Sequence, residues 1–295
     1  MPPPDLTPQE VEKKLRRGRR PYLTDSVAHT GPSPYSHDRL ALIPGMWDSP
    51  LLREIASDAA LKLLTDWKTK MLRPPSEVAE LDASLGILPT YTDPVLRRQR
   101  RAYIRLVKRL LKLGMVRLSR NCRCQVGVFT VGKKSGDLRL ILDCRRSNRR
   151  FRSPPGVELL TAEGWSRVEV EMMSEGLADS LALGITDIEN CFHRFKFGTD
   201  GLGAELAEYF GLPGVLAKEL NITTLNGKPI AGDVVLYPLA TSLPMGWTWS
   251  LYFAQESNCA RMQSIPSLCT FRVMRDGSDA VVFPRDEGAQ YTYVD

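Results

Sequence analysis

The chain has 295 residues, 43% of them hydrophobic and 25% charged, which are the proportions of a soluble globular protein with one large domain or two ordinary ones. Its 22 Gly and 21 Pro exclude collagen-like and wholly disordered readings. No apolar run approaches the roughly 18 residues of a membrane span, and the proline-rich start leads into charge instead of a signal peptide. The net charge of +6 hides a polycationic stretch from Arg97 to Arg152, where 19 Lys and Arg meet two acids, Asp137 and Asp143, on an otherwise acidic protein.

Such a stretch suits a polyanion, most readily nucleic acid or nucleotide phosphate; a solvated basic helix is the plainer alternative. Six cysteines lack C-x-x-C spacing and only three histidines exist, so a structural zinc site is not expected. The expected location is intracellular, in nucleus or cytoplasm, with no membrane partner.

In chain order, residues 1–50 are rich in Pro, Ser, Arg and His and read as a mobile arm, with Lys13–Arg20 a basic cluster. Leu51, Ile55, Ala59, Leu63 and Trp67 recur four apart and predict an amphipathic helix over 51–71, stopped by Pro74-Pro75. A second helix is predicted from Asp93-Pro94 to Gly114, with Tyr103, Val107 and Leu110 facing a core and Arg98, Arg101, Arg105, Lys108, Arg109 and Lys112 available to phosphates. Val126–Val131 and Leu138–Leu142 read as a hairpin with a basic tip, Lys133–Asp137.

Leu181, Leu183, Ile185 and Asp187 alternate as in a strand, after which Ile188, Phe192 and Phe195 take helical spacing. Asp187 is thereby expected at a strand's carboxyl end, on a rim. Residues 247–262 predict a helix with Trp247, Leu251, Ala254, Asn258 and Met262 on one side, Asn226-Gly227 a turn, and 289–295 a short β-type run.

Four blocks stand in a fixed order: the hairpin running into Asp143-Cys-Arg145-Arg-Ser-Asn148, the strand-end Asp187, Leu243-Pro-Met-Gly-Trp247, and Tyr293-Val-Asp295. Their order and content resemble a reverse transcriptase of the retroviral and retrotransposon kind, over roughly residues 96–295. The resemblance implies an α/β (α+β) fold: a right-hand polymerase palm with a ferredoxin-like antiparallel sheet, plus fingers, the thumb missing. It would place fingers at 96–160 and 203–242 and an incomplete palm at 161–202 and 243–295. Residues 1–95 would be an N-terminal extension, partly disordered.

By the same resemblance, Lys133, Lys134 and Arg139 would hold the triphosphate of an incoming dNTP, where fixed cations stabilise departing pyrophosphate. Asp187 and Asp295 would be catalytic ligands for Mg2+ (or Mn2+), hard cations that take oxygen donors. Phe192 would crowd the sugar 2′ position, although an ordinary core Phe reads the same. Met245 and Gly246 would form the turn beneath the nucleotide; retroviral members commonly have Gln at the Met245 position. The implied partners are an RNA or DNA template-primer and dNTP, the implied activity RNA-directed DNA polymerisation. Because the given sequence ends after the first Asp of a Tyr-x-Asp-Asp box, an inactive nucleic-acid-binding protein and a decayed retroelement fragment stay open as alternatives.

Overall fold

The computed structural model describes residues 31–45, 48–86, 88–157, 166, 169–170, 184–198, 201–274, 282–283 and 288–291. Over these residues the fold is α+β, with short, mostly antiparallel sheets packed among helices.

Residues 31–45, expected in a mobile arm, are instead a strap packed on the rest of the chain. β1 (Pro32–Ser33) pairs along the hairpin, and Tyr35, Leu40 and Ile43 are buried. Their partners lie far along the chain: Asp93 accepts from the Tyr35 amide at 3.0 Å, and Arg109 donates to the carbonyls of His37 and Leu40 at 2.7 and 3.0 Å.

The helix predicted over 51–71 is broken into α1 (Leu52–Ile55), α2 (Asp58–Thr65) and α3 (Trp67–Lys70). Ser57 interrupts it by capping α2, its hydroxyl accepting from the Ala60 amide at 3.2 Å. The buried stripe consequently becomes Ala60, Leu64, Trp67 and Met71: Trp67 is buried as expected, but Ala60 and Leu64 replace Ala59 and Leu63, and Ala59 is exposed. α4 (Pro75–Leu85) follows at once, with Pro75 in its first turn, where a missing N–H costs nothing.

Asp93 and Gly114 bracket the second helical segment as expected. The Asp93 carboxylate caps α5 (Pro94–Arg98), accepting from the Val95 and Leu96 amides. A break at Gln99 separates it from α6 (Arg100–Lys112), whose buried side is Tyr103, Leu106, Val107 and Leu110. Gly114, at φ +71°, turns the chain into β2 (Val116–Ser119).

The predicted hairpin is β3 (Gly127–Gly132) with β4 (Leu138–Asp143), paired from Gly127↔Asp143 to Gly132↔Leu138. β1 adds to the outer side of β3. Leu138, Leu140 and Leu142 are buried on one face of β4, while Arg139 points to the other. A one-turn helix, α7 (Arg145–Asn148), follows.

Of the strand expected at 181–187, residues 181–183 lie outside the described residues. Residues 184–188 form no strand and are exposed, Ile185 by 77%, because no described segment pairs with them. The helical spacing after Asp187 reduces to one turn, α8 (Cys191–Arg194), entered through left-handed Asn190. β5 (Glu169–Val170) precedes this region, and α9 (Gly201–Ala207) follows it.

β6 (Val215–Leu216) leads into α10 (Ala217–Leu220). β7 (Thr224–Leu225) and β8 (Lys228–Pro229) turn at Asn226-Gly227 as expected. β9 (Val235–Ala240) joins β2 and β6 in a second three-stranded antiparallel sheet.

α11 (Thr248–Gln263) realises the last predicted helix; Trp247 and Ala254 of the expected stripe are buried, but so are Trp249, Tyr252 and Phe253, so burial is not confined to that side. Its rings join Phe151, Phe197, Phe210 and Trp247 in one cluster with centroids 5.0 to 6.0 Å apart. β10 (Arg272–Val273) pairs in parallel with β12 (Ala289–Gln290), and β11 (Val282–Phe283) with β5. The described sheets have two or three strands; a four-stranded palm sheet is not among the described residues. No described helix is long and apolar enough to cross a membrane.

Candidate functional site

Three separate chain segments meet at a cleft of about 350 Å³. β4 and its turn supply Arg139 and Lys133, the 186–192 segment supplies Asp187 and Phe192, and the Pro-x-Gly turn supplies Met245. These are five of the eight expected site residues.

The other three are placed differently. Lys134 is exposed at the hairpin tip and does not line the cleft. Asp295, and with it Tyr293 and Val294, lies outside the described residues. Gly246 stands behind the cleft wall, where its work is packing. Its φ is +121°, and a Cβ there would sit 2.3 Å from the Leu142 carbonyl oxygen. The adjacent Met245 carbonyl accepts from the Leu142 amide at 3.1 Å, fastening the turn to β4.

Asn148 holds the turn from its other end. Its Nδ2 donates to the Gly246 carbonyl at 3.0 Å, and its Oδ1 accepts from the Thr248 amide at 3.1 Å, at the start of α11. Ser250 closes the arrangement, its hydroxyl donating to the Pro244 carbonyl at 2.8 Å. The Arg-rich block and the Pro-x-Gly block are thus two halves of one support. Asp143 anchors the same region: Arg145 donates to both its oxygens, and the Tyr91 amide adds a bond of 2.6 Å. Burial raises the Asp143 carboxyl, but these donors outweigh it and hold the group below its ordinary range.

Charge is divided between the cleft walls. Lys133 and Arg139 stand on the hairpin side, with the carboxylates of Asp187 and Glu189 on the other. Beneath them lies His193, whose protonation is pushed down to about 4 by burial first and by Arg139 and Lys133 second. The imidazole is therefore neutral at pH 7 and adds no charge to the site.

The cleft also contains Thr186, Asn190, Tyr291 and, from α11, Asn258, Arg261 and Met262, none of which sequence reasoning assigned to it. Asn258 and Met262 were expected on a core stripe. The available signal was Arg261, the one cation of α11, three residues after Asn258.

Asp187 is an exposed oxygen donor at the rim, and Mg2+ typically takes one or two carboxylates with substrate phosphates completing its shell. Among the described residues no group of three or more His, Cys, Asp or Glu is arranged to hold a metal. Asp187 thus suits a hard cation as one ligand of a shared shell.

No family model matches the sequence, and no curated protein matches it. Among solved structures, one match is the foamy viral protease-reverse transcriptase dRH in complex with double-stranded DNA, at 15% identity and a TM-score of 0.37. The matched part covers 83% of this chain and 39% of that one, so the chain spans about two fifths of its length. Similarity at that level assigns no family.

Proposed function

We propose that the chain carries the nucleotide site of an RNA-directed DNA polymerase, with fingers at 96–160 and 203–242 and palm elements at 161–202 and 243–295. One observation carries this reading: Lys133, Arg139, Asp187, Phe192 and Met245, from sequence blocks up to about a hundred residues apart, converge on a single cleft. Its volume, about 350 Å³, is within the range of small-molecule and cofactor sites.

In this reading Arg139 and Lys133 bind the triphosphate of a dNTP and stabilise the charge that gathers on the leaving pyrophosphate. Asp187, with Asp295, would hold Mg2+ or Mn2+, which when bound favours attack by a primer 3′-oxygen on the α-phosphate. Phe192 presses against the sugar and leaves no room or partner for a 2′-hydroxyl. Asn148 and Gly246 do not touch the nucleotide; they keep the Met245 turn seated on β4.

The test is magnesium-dependent extension of a primed RNA template by a chain continued past residue 295. Loss of extension in Asp187→Ala and a raised dNTP KM in Arg139→Ala are expected. Extension that survives Asp187→Ala removes the assigned site. Template binding without extension favours the second reading, a nucleic-acid-binding protein without catalysis.

A further inference from the structure

The exposed side of α6 is unusually uniform. Arg101, Arg105, Lys108 and Lys112 are all exposed. At 100° per residue they fall within about 60° of arc, and at 1.5 Å rise they extend over roughly 16 Å. Arg101, Lys108 and Lys112 have no acidic partner among the described residues. Among the described residues the one acidic partner of Arg105 is Asp38, 3.9 Å away on a side chain 89% exposed. Arg97 and Arg98 of α5, both exposed, add to the charge.

This stripe and the cleft lie on opposite sides of a packed layer. Leu110, from the buried side of α6, encloses a small void with Leu140 and Leu142 of β4 and with His193. Arg139 leaves β4 on the other face, into the cleft. A strand engaged by Arg139 therefore does not reach the stripe directly.

We propose that the outer face of α6 is a second nucleic-acid contact, distinct from the cleft, which grips the backbone of a duplex without regard to sequence. The choice of nucleic acid over other polyanions rests on the function proposed above. Duplex DNA carries one charge per about 1.7 Å of axis, so a helix face of this length meets several phosphates at once. Its four cations sit on a helix fixed by the burial of Tyr103, Leu106, Val107 and Leu110, so the backbone that spaces them is ordered before binding. No base edge need be read.

The test compares three forms of the whole chain on a blunt DNA duplex in EDTA, without dNTP, across a salt series. The stripe variant carries Arg101→Gln, Arg105→Gln, Lys108→Gln and Lys112→Gln, exposed changes to a good helix former. A control removes the same charge elsewhere, at exposed Lys62, Lys70, Lys228 and Arg272. Four phosphate contacts predict a log–log salt slope shallower by about three to four in the stripe variant, and a loss of about a hundredfold in the affinity gain between 200 and 50 mM salt. Binding read in EDTA without dNTP needs neither metal nor turnover, which keeps this result separate from failure of the polymerase reading. An unchanged slope in the stripe variant, or an equal loss in the control, overturns the proposal.

Discussion

The guanidinium of Arg39 grips the carbonyl oxygen of Gly136, through Nε at 2.9 Å and Nη2 at 2.5 Å. Gly136 is at the tip of the β3–β4 hairpin, beside Lys133, and has φ +88°. The strap and the hairpin are also tied by main chain: the Ala41 amide donates to the Leu138 carbonyl, and the Leu138 amide to that of Arg39.

Arg39→Ala should therefore loosen the 133–137 turn while scarcely changing global stability. The bonds are exposed, so the stability loss should be about 1 kcal/mol or less. Amide exchange over 133–137 should quicken, with β3 and β4 unchanged. Equal exchange in wild type and variant would show that the turn holds itself, through the Lys133 amide bond to Asp137.

A larger effect is expected behind the cleft. Gly246→Ala places a Cβ 2.3 Å from a strand carbonyl in a backbone region that L-residues rarely adopt, so a loss of roughly 2–3 kcal/mol is expected. Asn148→Ala removes two hydrogen bonds to the same turn and should cost about 1–2 kcal/mol. Because both act on one turn, the double variant should lose less than the sum. Denaturant midpoints of the four forms decide it, and strict additivity would show that the two contacts are independent.

Much of this support was visible in sequence because it is local. Asp93-Pro94, the Tyr103–Leu110 spacing, Gly114 and the alternating hairpin each act on neighbours within a few residues, and each is formed. The strap was not visible because its partners, Asp93, Arg109 and Leu138, lie some 60 to 100 residues away, and its Pro, Ser and His content is that of an unanchored arm. In α1–α3 Trp67 is buried as its spacing predicts, but the Ser57 cap reset the helix and moved burial from Ala59 and Leu63 to Ala60 and Leu64. Asn258 and Arg261 escaped notice because α11 is buried on more than one side, so apolar periodicity does not isolate the face at the cleft. The four blocks pointed to one site, yet sequence could not separate lining from support: Met245 lines the cleft, whereas Gly246 beside it packs on β4.

His193 links the cleft to pH. In an unfolded chain its imidazole takes up a proton near 6.5, but in the fold burial, then Arg139 and Lys133, delay protonation to about 4. Between those values the unfolded state holds the extra proton, so the contribution to stability is complete above about pH 6.5 and is lost as pH falls toward 4. At 1.36 kcal/mol per unit the loss approaches about 3 kcal/mol. Asp143, held below its ordinary 3.8, contributes above that value and is lost only at lower pH, outside this window. Urea midpoints at pH 7 and pH 4.5 should therefore differ clearly in wild type and much less in His193→Leu, which removes the proton site and keeps an apolar contact with Leu140 and Leu142. An equal difference in both forms would assign the acid lability to another group.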